Sequence, residues 1–433
     1  MRRISSCCLA VAALVCLGFV GAGEGRGEDG AGKLKVLVVT GGHDYEEKQF
    51  DEMFLADKGI EYHHEAHPKA LETIAAGAAA FDVIVLYDMY QPITEAQKAA
   101  FANTIRDGKG LVVLHHALGS FQAWPEYCGL IGGRFFIDEH VEGGVKKPSS
   151  TYKHDVDIPV EIADPDHFIT KGLKDFTIHD ETYNGFAVEP GVHVLLKTKQ
   201  ADSGPVLAWT KPYGKARVAL LQLGHDHWAY ENESYRTLVS RAIRWVVRRT
   251  PADAGMQPIF NGKDLTGWKA EGSARFAVED GILVGRQGPG GAAGDLYTTA
   301  DYGDFDCEVN FAVDWPANSG FWFRYVNGSK AYQADILDAP QLRAWTGSIY
   351  CGGNRDLFIA RTEDPSIISR DGWNTFRIRA EKDHIVVFLN GKKVADVHDS
   401  SSARGKFGTQ VHAGADFAKM AIRVADFRVK KLD

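Results

Sequence analysis

Gly110-Leu111-Val112-Val113-Leu114-His115-His116 is an apolar run that stops abruptly on two imidazoles. A short continuous apolar segment rich in β-branched residues reads as a strand buried on both faces. Lys35–Thr40 (KVLVVT), Phe81–Tyr87 (FDVIVLY) and Arg217–Leu223 (RVALLQL) repeat the pattern. Amphipathic stretches lie between them, at Glu46–Lys58 and Glu95–Arg106. Ser234–Arg248 closes the series with Leu238, Ile243, Trp245 and Val246 as its expected core face. Buried strands alternating with helices predict an open, mostly parallel α/β sheet over residues 33–250. The stretch 132–204 is less regular.

Each of these strands ends in residues able to do chemistry. His43 and Asp44 follow the first, Asp88 and Tyr90 the second, His115 and His116 the third, and His225, Asp226 and His227 the last. Parallel strands end on one edge, and ligands of open α/β sheets bind at that edge. Asp180-Glu181 adds carboxylates from the irregular stretch. One strand-end histidine is more often a hydrogen-bonded structural residue. Four clusters on one edge shift the balance toward a site. Imidazoles mixed with carboxylates suit zinc or a similar divalent metal, with His43, His115, Glu181 and His225 as the expected ligands.

Residues 251–257, within Thr250–Gln257 (TPADAGMQ), lack apolar periodicity and read as a linker. Beyond it, over 258–433, the period becomes two. Phe376-Arg377-Ile378-Arg379-Ala380 alternates, and Ile385–Leu389, Asn390-Gly391, Lys392–Val397 reads as a hairpin on a type I′ turn. Short strands at this spacing predict an all-β sandwich.

The 433 residues carry a net charge of -8 with 45% hydrophobic and 24% charged side chains. That is the composition of a folded globular chain, and with no long basic stretch it makes nucleic acid an unexpected partner. Arg2 and Arg3, an apolar Leu9–Val20 run and Val20-Gly21-Ala22 fit a cleaved signal peptide over 1–22, with a membrane anchor as the lesser alternative. The mature protein is then expected to be secreted or periplasmic, with no transmembrane span. Cys307 and Cys351 are the pair available for a disulfide in such a compartment. The absence of G-x-G-x-x-G after the first strand argues against a nucleotide cofactor.

Val38-Val39-Thr40-Gly41-Gly42-His43, Leu114-His115-His116-Ala117-Leu118-Gly119-Ser120, Trp124-Pro125-Glu126-Tyr127 with Gly132-Gly133-Arg134-Phe135, Asp180-Glu181-Thr182-Tyr183 and Leu223-Gly224-His225-Asp226 together resemble the ThuA-like (trehalose utilisation) family. The resemblance implies a flavodoxin-like sheet related to class I glutamine amidotransferases. Those enzymes place a nucleophilic cysteine on the turn after a central strand. Here that turn holds His115-His116, so amidotransferase chemistry is not expected.

Ile259-Phe260-Asn261-Gly262-Lys263-Asp264-Leu265-Thr266-Gly267-Trp268, Asn318-Ser319-Gly320-Phe321-Trp322-Phe323-Arg324, Leu389-Asn390-Gly391-Lys392 and Gly408-Thr409-Gln410-Val411-His412 resemble the 3-keto-disaccharide hydrolases, also described as 3-keto-glucoside 1,2-lyases and 2-hydroxy-glucal hydratases. That implies a concanavalin-like jelly roll meeting a sugar, in this case a 3-keto-glycoside produced by a separate sugar dehydrogenase. The family shows Glu and Gln two apart after a Tyr. This chain has Tyr332 followed by Gln333-Ala334-Asp335, so Gln333 stands at the Glu position.

A ketone at C3 acidifies the C2 hydrogen. A base then removes that proton, and the enolate expels the C1 oxygen. His412 is the candidate base or metal ligand, Arg324 the candidate partner of the enolate, and Asp335 a further catalytic residue. Gln333, Gln410 and Trp322 are the candidates for holding the sugar. The leading expectation is an exported enzyme cleaving 3-keto-glycosides by elimination or hydrolysis. The alternative is a non-catalytic carbohydrate-binding sandwich attached to a ThuA-like sugar-processing domain.

Overall fold

The computed structural model describes residues 32–248, 250–354 and 356–433. The expected signal peptide lies outside the described residues. In the first domain the elements run β1 (Leu34–Gly41), α1 (Glu47–Leu55), β2 (Ile60–Ala66), α2 (Lys69–Ala75), β3 (Val83–Asp88), α3 (Glu95–Arg106), β4 (Gly110–Leu114) and α4 (Pro125–Ile131). Short strands β5 (Gly133–Arg134), β6 (His140–Glu142) and β7 (Val145–Lys147) follow. Then come β8 (Thr151–Ile162), β9 (Phe176–Asn184), β10 (Ala187–Val188), β11 (His193–Lys197), β12 (Val206–Tyr213), β13 (Ala216–Leu221), α5 (His227–Glu231) and α6 (Glu233–Val246).

Nine strands form one sheet in the order β2-β1-β3-β4-β13-β12-β11-β8-β9. The first five are parallel, the flavodoxin-like half, and β12, β11, β8 and β9 join antiparallel. The sheet is therefore mixed rather than mostly parallel. The irregular stretch supplies the antiparallel half because its strands are joined without crossover helices, which a parallel pairing requires. Helices cover both faces of the parallel half. Phe50, Phe54, Leu238 and Ile243 pack on one face, and Leu71, Ile74, Phe101 and Leu130 on the other. Trp245, expected in the core face of α6, is half-buried and carries the Arg217 guanidinium 4.9 Å over its ring.

The second domain is a two-sheet sandwich. Its strands are β14 (Gln257–Pro258), β15 (Trp268–Gly272), β16 (Arg275–Glu279), β17 (Ile282–Arg286), β18 (Gly294–Thr298), β19 (Phe305–Val313), β20 (Asn318–Asn327), β21 (Lys330–Ala339), β22 (Ala344–Cys351), β23 (Phe358–Thr362), β24 (Asn374–Glu381), β25 (His384–Leu389), β26 (Lys392–His398), β27 (Lys406–Val411) and β28 (Ala421–Lys431). One sheet runs β16-β17-β28-β19-β24-β25-β26 with β14 on β28, and the other β15-β18-β27-β20-β21-β22-β23. Phe305, Phe311, Phe321, Phe323, Tyr332, Phe376 and Phe407 fill the space between them. Asn390 and Gly391 both take positive φ (48° and 77°), as the type I′ turn demands. Cys307 and Cys351 are both buried free thiols.

The domains are joined by a buried charge network. Arg217 of β13 donates two hydrogen bonds to Asp253 (2.7 and 2.8 Å) and one to Glu308 of β19 (2.8 Å), and Arg248 adds a second ion pair to Glu308. Burial alone would raise the Glu308 carboxyl, but Arg217 and Arg248 hold it well below the usual carboxylate range.

Candidate functional sites in the two domains

The carboxyl edge of the first sheet gathers the strand-end histidines. His115 follows β4 at φ 45°, a left-handed conformation rare for a non-glycine residue, on the sharp turn from strand to 3-10 helix. Such backbone strain costs about 1–3 kcal/mol and is found at functional sites. The conformation turns the imidazole back across the sheet edge. His115 Nδ1 lies 2.7 Å from the carbonyl of Gln222, so it donates there. Its Nε2 faces Glu181 Oε2, 3.0 Å away, with the Tyr183 hydroxyl also at 3.0 Å.

Ligand atoms of His115, Glu181 and His225 all lie within 4.8 Å of one another. Three of the four expected ligands are thus brought together. His43 stands beside the group, its ring 5.9 Å from that of His225 and stacked on His116 at 4.4 Å. It donates from Nδ1 to the Asp44 carbonyl at 2.7 Å, which leaves its own Nε2 free. Burial lowers the His43 pKa. Burial would also raise Glu181, but hydrogen bonding and charge from His115 and its neighbours lower it overall. For His225, burial is outweighed by Asp226, Glu181 and Asp180, and the net shift is upward.

Two participants were not legible from the parallel strands. His154, on antiparallel β8, places Nδ1 3.2 Å from Glu181 Oε1 and its ring 4.7 Å from His225. Tyr183 lies two residues after Glu181 on β9, the same-face spacing that could have marked it. Asp180, on the opposite face, accepts from the backbone N–H groups of Gly224 (2.7 Å) and His225 (2.9 Å) and so fixes the loop that carries His225.

The second candidate site is the outward face of the sheet containing β20 and β21. Phe321, Phe323, Tyr332, Ala334 and Phe407 point into the sandwich. The alternate residues Trp322, Gln333, Asp335 and Gln410 therefore share the other face. Cross-strand pairing sets Trp322 opposite Gln333, and Gln410 opposite both Gly320 and Asp295. Gln333 donates to Gln410 at 3.3 Å, and the Trp322 indole donates to Asp295 at 2.8 Å. Asp335 is 6% exposed, its Oδ1 has no hydrogen-bond partner, and burial pushes its carboxyl well above the usual range. Burial raises Asp295 as well. No motif in the sequence had marked Asp295.

The structure overturns one expected role in the second domain and moves another to the periphery. Arg324 does not share the face of Trp322. The ladder slips between Trp322 and Tyr325, and Arg324 sits in that bulge at φ 48°. The extra residue reverses the alternation. Arg324 turns inward, its side chain fully buried, and donates to the carbonyls of Gly303 (2.8 Å) and Lys382 (2.6 Å) and to Asp304 (2.8 Å). A guanidinium buried between the sheets and held by these three acceptors cannot reach an enolate on the outward face. His412 lies just past β27, exposed, with Nδ1 donating to the Ala413 carbonyl at 2.7 Å. It is on the rim of the face, near enough to Asp295 to lower that carboxyl's pKa slightly.

Residues 35–246 match the family model described as trehalose utilisation (ThuA), and residues 255–428 that of the 3-keto-alpha-glucoside-1,2-lyase-like domain. Both are carbohydrate-related domains. Among curated proteins none matches. Solved structures similar to parts of the chain include a ThuA-like protein from Parabacteroides merdae, 18% identical, covering 50% of this chain and 90% of its own with a TM-score of 0.43. A candidate glycosyl hydrolase from Parabacteroides distasonis is 19% identical over 42% of this chain and 95% of its own, TM-score 0.32. The carbohydrate-binding module CBM66 from Bacillus subtilis is 21% identical over 38% and 96%, TM-score 0.29.

Proposed function

We propose that this chain, a ThuA domain followed by a 3-keto-alpha-glucoside-1,2-lyase-like domain, is an exported enzyme that cleaves 3-keto-glycosides, with proton abstraction in the first domain and glycan held by the second. The observation that carries this reading is the His115–Glu181 geometry. With His115 Nδ1 committed to the Gln222 carbonyl, Nε2 and a Glu181 carboxylate oxygen face each other at 3.0 Å. Such a pair is stable only with a cation between or beside the two atoms, or with a proton on Nε2.

His115, Glu181 and His225 are the ligand types that zinc and similar divalent ions take. Such an ion would supply charge stabilisation for a ketone oxygen and its enolate. The chain's own residues provide the rest. His43 has a free Nε2 to accept the C2 proton, and the Tyr183 hydroxyl is a donor for the departing C1 oxygen. The C2–H and C1–O bonds break, a C1–C2 double bond forms, and water adds to it later. The substrate arrives already oxidised, from a separate dehydrogenase. Trp322, Gln333, Gln410 and Asp295 line a separate outward face of the sandwich, away from the domain junction, suited to holding glycan in its own right.

A second reading places the chemistry on the sandwich. It is favoured by Asp335, a buried carboxyl whose pKa burial raises and whose Oδ1 is unpartnered, as suits a general acid. The test is aglycone release from p-nitrophenyl 3-keto-glucoside by the full chain, with and without chelator, in His115→Ala and Asp335→Asn. Loss of release with chelator and in His115→Ala, and retained release in Asp335→Asn, is expected. Loss in Asp335→Asn with no chelator effect moves the reaction to the sandwich. No release under any condition removes keto-glycoside cleavage altogether. Export is tested by N-terminal sequencing of the secreted protein, expected to begin near Gly23.

A further inference from the structure

Among the described residues, the aromatic side chains that stand out as exposed are Tyr90 (56%), Tyr152 (62%) and Trp228 (55%). All three border one site. Tyr152 on β8 packs 5.4 Å from His154, whose ring is 4.7 Å from His225. Trp228 is the second residue of α5, three residues after His225, with its ring 4.7 Å from His227 and 5.8 Å from His179. Tyr90 follows β3 at the same carboxyl edge of the sheet. Scattered exposed aromatics are ordinary on a protein surface. Three around one polar pit, with none elsewhere among the described residues, are a different distribution.

We infer that the mouth of the His115–Glu181–His225 cluster is a carbohydrate subsite, with Trp228 and Tyr152 as stacking walls and Tyr90 as a third side. This deepens the proposed function by giving the first domain its own sugar contacts. A pyranose presents apolar C–H faces ringed by hydroxyls, so its site needs flat apolar walls over a polar floor. Trp and Tyr provide such a wall with a polar tip. The floor holds acceptors at Glu181, Asp226 and His154. A protein interface would instead want a continuous apolar patch. Here His154, His179 and His227 separate the aromatics from one another.

The proposal predicts two sugar sites per chain, one on each domain. Calorimetric titration of the full chain with methyl glucoside, which lacks the C3 ketone and so cannot undergo the elimination, should give a stoichiometry of two. In Trp228→Ala/Tyr152→Ala it should fall to one, or the second site should weaken about tenfold or more. In Trp322→Ala the other site should be lost instead. Zinc content of the double variant, measured by mass spectrometry after loading, should equal wild type, because neither residue belongs to the ligand set. An unchanged stoichiometry and affinity in the double variant would overturn the inference. Because this ligand is not a substrate of the proposed elimination, the binding readout is independent of cleavage, and failure of the cleavage reading and failure of this subsite are told apart.

Discussion

Replacing Arg324 by Met separates a structural arginine from a catalytic one. The side chain is fully buried and donates three hydrogen bonds, at 2.8, 2.6 and 2.8 Å, to Gly303, Lys382 and Asp304. Met retains most of the aliphatic volume and deletes the charge. The Gly303 carbonyl is buried and loses its donor, at about 1–3 kcal/mol. Asp304 keeps the backbone N–H of Lys382 at 2.8 Å and is a quarter exposed, so its loss is partly offset by water. Breaking a buried pair typically costs about 3–5 kcal/mol, and these exposures place the whole effect near the lower half of that range. For a domain of this size each kcal/mol shifts Tm by about 2–4 °C, so the sandwich transition should fall by about 6–16 °C. Differential scanning calorimetry measures that shift, and turnover per folded molecule at a temperature below both transitions should match wild type. An unchanged Tm with abolished turnover would refute the structural reading and return Arg324 to the active face.

Asp335→Asn should change the pH dependence of stability. Burial raises the folded carboxyl's pKa, so its contribution is fully present below the unfolded value of about 4 and is lost as pH rises toward the folded value. The variant should therefore gain on wild type between pH 4 and pH 7 in thermal melts, and a constant difference would contradict this. His167 has the opposite sign, because burial pushes the imidazole down to about 3. Its stability contribution is complete above the ordinary value near 6.5 and is lost as pH falls, by about 2 kcal/mol at pH 5. His167→Gln should flatten the acid limb of a urea-denaturation series from pH 7 to pH 4.5, and an unaltered limb would assign acid sensitivity elsewhere.

The first-domain site was largely legible because its geometry follows from topology. Parallel strands β1, β3, β4 and β13 must end on one edge, so residues that follow them in the sequence meet there whatever the details of packing. His115 and His225 were readable on those grounds, and Glu181 from its place in an acidic pair. His154 was not, because it enters on an antiparallel strand whose partner and register depend on contacts distant in the chain.

In the sandwich, alternation puts Gln333 and Asp335 on one face, since the period of two is a local backbone property, whereas only the pairing of β27 with β20 brings Gln410 to the face of Trp322. Alternation failed at Arg324, where one extra residue at φ 48° reverses the phase. That bulge carries no glycine to announce it. Its stability comes from Asp304, Gly303 and Lys382, which are brought to it by the opposite sheet. By itself the sequence determined the two fold classes, their order and the edge on which the histidines meet, because each depends on short-range periodicity and chain direction. Tertiary structure alone decided which side chains share a site, because a bulge, a cross-strand partner and a buried carboxyl are set by neighbours that sequence distance does not encode.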